Sequence, residues 1–201
     1  MTTARDLMIT AVDAAADRPV SQGELSLALA GAELVDLLGE GAVILDADLI
    51  VPAGLRALGD PLLDQATASV TRDKPYESVE DWLWRRGRDL VAAYAAALAA
   101  EGQLTRQGRR WLSLLTGRTV VSNTAEHQHA RERWAAHEPA LAALAAAVGI
   151  VAADANGDSH PVDGPAGIVL AGVADAVTEL GALRQQRSIE QDAFDNIWRA
   201  P

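Results

Sequence analysis

Arg85, Arg88, Arg109, Arg110 and Arg118 stand in the middle of this chain around the apolar run Trp111-Leu112-Ser113-Leu114-Leu115. A guanidinium binds phosphate or carboxylate through a planar fork of charge-assisted hydrogen bonds. An apolar run beside such groups can enter the boundary of a lipid bilayer. The pairing is the chemistry of a surface that captures an anionic phospholipid headgroup. The five arginines would be its cations, and Trp111, Leu112, Leu114 and Leu115 its membrane-contacting element. Helical spacing puts Arg85 and Arg88 on one face, with Arg86 pointing elsewhere. The same residues also admit a bland reading, in which the arginines are solvated or paired with Asp89, Glu101 and Glu132 and the Trp-Leu run is plain core. Periodicity and charge alone leave both readings open.

Charge along the chain sharpens the question. The net charge is -11, yet residues 82–133 hold nine of the sixteen arginines and only four acids, while the segments on either side are acidic. A basic island in an acidic molecule attracts a local anion, whereas the remainder repels a long polyanion that would have to cross it. Four arginines at about 1 kcal/mol each, with Trp111 and one leucine inserted at about 2 kcal/mol apiece, give a gross attraction of about 8 kcal/mol. Loss of freedom on binding and repulsion from the acidic flanks reduce it, so weak, salt-sensitive attachment is expected.

Other chemistry finds little support. The chain has no cysteine, which excludes disulfides and thiolate metal sites. It has no Gly-x-Ser-x-Gly elbow, phosphate loop or dinucleotide fingerprint. No enzymatic activity, cofactor or metal is expected. Glu126, His127, His129, Glu132 and His137 could be offered as metal ligands, but a helix sets His129 one turn from Arg133, whose charge opposes a cation. A solvent-facing helix is the expected reading there. Asp154, Asn156 and Asp158 imitate the start of a calcium loop, but Ser159 and Pro165 occupy the positions that need glycine and glutamate. The helix and hairpin at Glu24 to Val51 could belong to a winged-helix nucleic-acid reader. That unit carries six acids and no Lys or Arg, so it would repel phosphates, and no nucleic-acid partner is expected.

The elements that must position the arginines are mostly helical. Apolar residues recur at three and four positions, aromatics are few, and the length suits a single domain, 1–201, built as a mainly α helical bundle with a short β-hairpin. The pattern predicts a helix from about Glu24 to Leu38, a hairpin over 42–45 and 49–51, and a helix opened by Asp60-Pro61 and reaching Val70. Ser78 with Asp81 should cap a helix from Val79 to Glu101 that Gly87 can kink or split. Thr105 should cap a helix carrying Arg109 to Leu115, followed by an extended stretch over 118–122. Helices over 125–136 and 139–152 come next, then a polar loop over 154–165. Two closing helices, 166–184 and 188–198, complete the chain. No window approaches the roughly 18 consecutive apolar residues of a membrane span, and the opening residues lack a signal-peptide pattern. A cytoplasmic protein, touching a membrane only peripherally, is expected.

The order of certain segments adds a resemblance. Leu27 to Leu34 (LALAGAEL), Gly59 to Ala66 (GDPLLDQA), Asp81-Trp82-Leu83 with nearby arginines, and Glu101-Gly102-Gln103-Leu104 resemble the Golgi phosphoprotein 3 family, as does the opening stretch Asp6 to Asp13. The resemblance implies a mostly helical, non-enzymatic domain that binds membranes peripherally. Eukaryotic members recognise phosphatidylinositol 4-phosphate and retain membrane enzymes by binding their cytosolic tails. Their headgroup pocket uses a tryptophan and several arginines. Carried onto this chain, the tryptophan falls near Ser21, the arginine that follows it falls at Ala30, and of a later pair the first falls at Arg88 and the second at Val91. Their membrane loop falls near Trp111 to Leu115. With three of the four pocket positions changed, the resemblance implies a less specific anionic headgroup here. The runner-up is a soluble protein-interaction domain that keeps the fold without lipid binding.

Overall fold

The computed structural model describes residues 2–15, 20–54, 57–106, 119–121, 124–150 and 162–199. Among these, eight helices appear in this order: α1 (Thr3–Ala14), α2 (Gln22–Gly39), α3 (Pro61–Ser69), α4 (Val79–Arg86), α5 (Leu90–Ala100), α6 (Ala125–Ala135), α7 (Pro139–Ala147) and α8 (Gly164–Arg199). Between α2 and α3 lies the hairpin β1 (Val43–Asp46) and β2 (Leu49–Pro52), and after α5 come β3 (Leu104–Arg106) and β4 (Thr119–Val121). The fold is mainly α, as the periodicity implies, with a second antiparallel pair that it did not anticipate.

Helix α2 is the axis of the molecule, touching α1, α3, α4, α5, α7 and α8. Its sequence allows this because Leu25, Leu27, Leu29, Leu34 and Leu37 alternate with Ala28, Ala30, Gly31 and Ala32, all buried. Small residues let neighbours approach closely, and the leucines fill the space between them. At Gly31 a Cβ would lie 2.3 Å from Val173 Cγ2, so the absence of a side chain is what seats α8 on α2. Trp82 is fully buried and its indole N–H donates to the Ala30 carbonyl at 3.0 Å, which satisfies the one polar atom of that ring. Burying such a side chain contributes about 1.5–3 kcal/mol.

Helix starts follow the capping chemistry. Asp60 accepts from the backbone N–H groups of Leu62 and Leu63 at 2.9 and 3.0 Å, with Pro61 in the first turn. The Ser78 hydroxyl accepts from the Asp81 N–H at 3.1 Å and donates to the Asp81 carboxylate at 2.8 Å. The hairpin is tied to the approach to α4 by Ile50 N–H to Glu77 O and Val79 N–H to Asp48 O, each 2.9 Å.

One expectation takes its stronger form and two are corrected. The helical stretch 79–101 is split at Gly87, one of the two outcomes expected there: Gly87 closes α4, and a Cβ there would lie 2.7 Å from the Leu83 carbonyl oxygen and 3.2 Å from that of Ser26. Asp89 then turns the chain at φ 58° into α5. Thr105 caps no helix. It sits in β3 opposite Val120, where β-branched residues on both strands favour pairing. The two closing helices are one: no glycine or proline lies between 184 and 188, and Gln186 donates to Glu190 at 3.0 Å one turn on, across the expected break. By length and hydropathy 164–191 would suffice to cross a membrane; only 17% of its apolar window is buried, through residues such as Val169, Val173 and Ala176, and Asp175 and Glu179 are exposed.

Candidate functional site

The break at Gly87 decides where the arginines go. Arg85 and Arg88 do not share a helix face, because α4 ends at Arg86 and Arg88 lies in the turn to α5. Arg85 is held by the Glu77 carboxylate at 2.6 and 2.7 Å, donates to the Ser69 carbonyl at 3.2 Å and lies 5.2 Å from the centre of the Trp82 ring. The hydrogen bonds to Glu77 raise its already high pKa. Arg86 turns inward to Glu33. The Arg88 side chain is exposed and, among the described residues, unpaired. Arg109, Arg110 and Arg118, with Trp111, Leu112, Leu114 and Leu115, lie outside the described residues.

Arg88 borders a cavity of about 350 Å³ between the start of α2, the α4–α5 turn and α8. Its wall includes Gln22, Gly23, Ser26, Trp84, Val91 and Leu180. That volume is at the lower end of the range for small-ligand sites. The wall is mixed: Trp84 and the aliphatic Leu27, Val91 and Leu180 stand with the exposed residues Arg88 and Asp89. Ser21, the N-cap of α2, makes no side-chain capping bond. Its hydroxyl instead accepts from Arg184 Nη1 at 2.7 Å, and the same nitrogen donates to Glu24 at 2.6 Å. The first turn of α2 therefore keeps N–H groups without a side-chain cap at the cavity end of the helix, a favourable setting for negative charge.

The other candidate residues fall elsewhere. His127 is buried, and its Nε2 meets an Asp13 oxygen at 2.9 Å, so part of the expected solvent-facing helix faces α1. Asp154, Asn156 and Asp158 lie outside the described residues. Among the described residues no three His, Cys, Asp or Glu side chains are grouped to hold a metal ion. Two further ion-pair groups tie helices together: Arg5 with Asp60 and Glu101, and Arg133 with Asp6 and Glu138. Trp84, Gln22 and Arg184 were not singled out from sequence. Arg184 lies 160 positions from Glu24, so no local pattern could have joined them.

The chain is a mainly α-helical bundle with a small pocket at the junction of α2, the α4–α5 turn and α8. The family model described as Golgi phosphoprotein 3 (GPP34) matches residues 4–187, and the chain belongs to that family. No curated protein matches it.

Within the fold, three of the four positions that the family resemblance marks lie close together. Ser21, Arg88 and Val91 lie at or beside this one cavity, and Val91 lines it. Ala30 does not: it is fully buried, with its carbonyl bound to Trp82.

Proposed function

We propose that the chain is a non-catalytic peripheral membrane protein of the adaptor kind, which takes an anionic phospholipid headgroup at the cavity walled by Trp84 and Arg88. The observation that carries the reading is Arg88, exposed and unpaired among the described residues, in the wall of a pocket that Val91 also lines and Ser21 adjoins. An indole and a guanidinium are the pocket chemistry that the resemblance implies, and here Trp84 brings the indole from α4. With one unengaged arginine and Asp89 beside it, the site suits a singly charged phosphodiester better than a doubly charged phosphomonoester. Arg85 is neutralised by Glu77 and adds little. Arg109, Arg110 and Arg118, with Trp111, Leu112, Leu114 and Leu115, are proposed as the rest of the membrane-facing surface. Cytosolic tails of membrane proteins are the proposed clients, and the inner face of the cytoplasmic membrane the proposed location.

Flotation with phosphatidylglycerol or cardiolipin vesicles against phosphatidylcholine tests this. The expected result is binding to the anionic vesicles alone, lost at high salt, and reduced about tenfold or more by Arg88→Glu with the melting temperature unchanged. Equal binding to neutral vesicles, indifference to salt, or an unaffected R88E protein would overturn the reading.

A further inference from the structure

The first turn of α2 carries a second guanidinium that comes from the far end of the chain. Arg184, on α8, spans Ser21 and Glu24, and its Nη2 lies 2.5 Å from where a Cβ of Gly23 would stand. Gly23 is part of the cavity wall, and so is Leu180, one turn before Arg184 on the same helix. The guanidinium therefore lies over the bare backbone at one side of the cavity while Arg88 stands at another. Its side chain is 44% exposed and its carboxylate partner Glu24 25% exposed, so the pair can open into water without breaking the core.

We infer that Arg184 is the second cation of this anion site, and that Glu24 holds it in place as a competitor that a phosphate-bearing ligand must displace. The inference rests on the headgroup reading for its ligand class, a phosphate diester or free phosphate, but concerns which residues of this chain grip it. Arg184 reaches Glu24 through Nη1 alone, so a phosphate that takes the place of this carboxylate can engage the guanidinium through its planar fork, and the Ser21 hydroxyl can donate to it. Glu24 and Asp89 offset Arg184 and Arg88 in charge, so only an anion that replaces a carboxylate gains both arginines.

The test uses the full chain and four proteins: native, Arg88→Ala, Arg184→Ala and Glu24→Gln. Binding is measured by flotation on phosphatidylglycerol vesicles and by calorimetry with inorganic phosphate, with thermal melts as a check on folding. Arg184→Ala and Arg88→Ala should each weaken binding about tenfold, and Glu24→Gln should strengthen it about tenfold by freeing Arg184. If Arg88→Ala weakens binding while Arg184→Ala and Glu24→Gln behave as native, the headgroup reading stands and this inference falls. If the Arg184 and Glu24 effects appear with inorganic phosphate but the native chain ignores vesicles, the inference stands and the lipid source falls. Binding of neither probe overturns both.

Discussion

Arg86 and Glu33 meet through two hydrogen bonds, Nε at 2.7 Å and Nη2 at 2.9 Å, with the Glu33 carboxylate wholly buried between α2 and α4. The Tyr94 hydroxyl donates to the same carboxylate at 3.1 Å. Burial pushes the Glu33 carboxyl up, and the Arg86 fork opposes that shift. Removing one partner leaves an ion without water or counter-charge, which is the costly case for buried pairs. Arg86→Met should lower unfolding stability by about 3–5 kcal/mol. Urea titration of the variant checks it, and a loss under about 1 kcal/mol would mean that Tyr94 alone satisfies Glu33.

Asp60 and Glu101 both hold Arg5, but their surroundings differ. Asp60 is buried and also caps α3, whereas the Glu101 side chain is 40% exposed. Water can replace Glu101 and cannot easily replace Asp60. Asp60→Ala should therefore cost about 3–4 kcal/mol, from the lost cap and the lost bond to a charged group. Glu101→Ala should cost about 1 kcal/mol. The order of the two melting temperatures is the check, and the reverse order would refute the argument.

Asp36 links pH to stability. Burial raises its carboxyl above the ordinary aspartate value, against the opposing bonds from the Thr3 and Ala4 N–H groups at 2.9 and 3.2 Å. A raised folded pKa means that the native state binds more protons than the unfolded chain above the ordinary carboxylate value. Its contribution is thus fully present below that value and is lost as pH rises through the folded pKa, by at most about 1.4 kcal/mol per pH unit. Asp36→Asn should remove this component. Denaturation at a series of pH values should show the native chain losing its advantage over the variant as pH rises, and a constant difference would exclude Asp36 as the source.

The segments that carried the family resemblance are those that hold the bundle together, which explains why they were legible. Glu33, Asp60, Trp82 and Glu101 are, respectively, the buried partner of Arg86, the cap of α3 and partner of Arg5, the core indole, and the second ligand of Arg5. Local capping chemistry placed α3 within a residue and the start of α4 at Val79. What failed was non-local. Thr105 has the composition of a cap but is captured by Val120 across a strand pair, and the face shared by Arg85 and Arg88 vanished because Gly87 must pass close to the Ser26 carbonyl of α2. The cavity itself is built from three segments far apart in sequence, so of its wall only Arg88 and, through the resemblance, Val91 were marked from the sequence as pocket positions.

Gly31 offers the sharpest test of how α8 is seated. Alanine is favoured over glycine inside a helix by about 1 kcal/mol, so Gly31→Ala would stabilise the chain if space allowed. Here the new methyl would lie 2.3 Å from Val173 Cγ2, and Val173 is 1% exposed and stiff at its branched Cβ. Over-packing of that kind costs about 1–3 kcal/mol, enough to reverse the helix gain and leave a net loss of about 1 kcal/mol. Val173→Ala alone should also destabilise, through the cavity it opens. Combined, the two changes should fill each other's defect, with the double variant more stable than the sum of the single losses by about 1 kcal/mol or more. Strict additivity in a double-mutant cycle would show that α8 does not lie against Gly31.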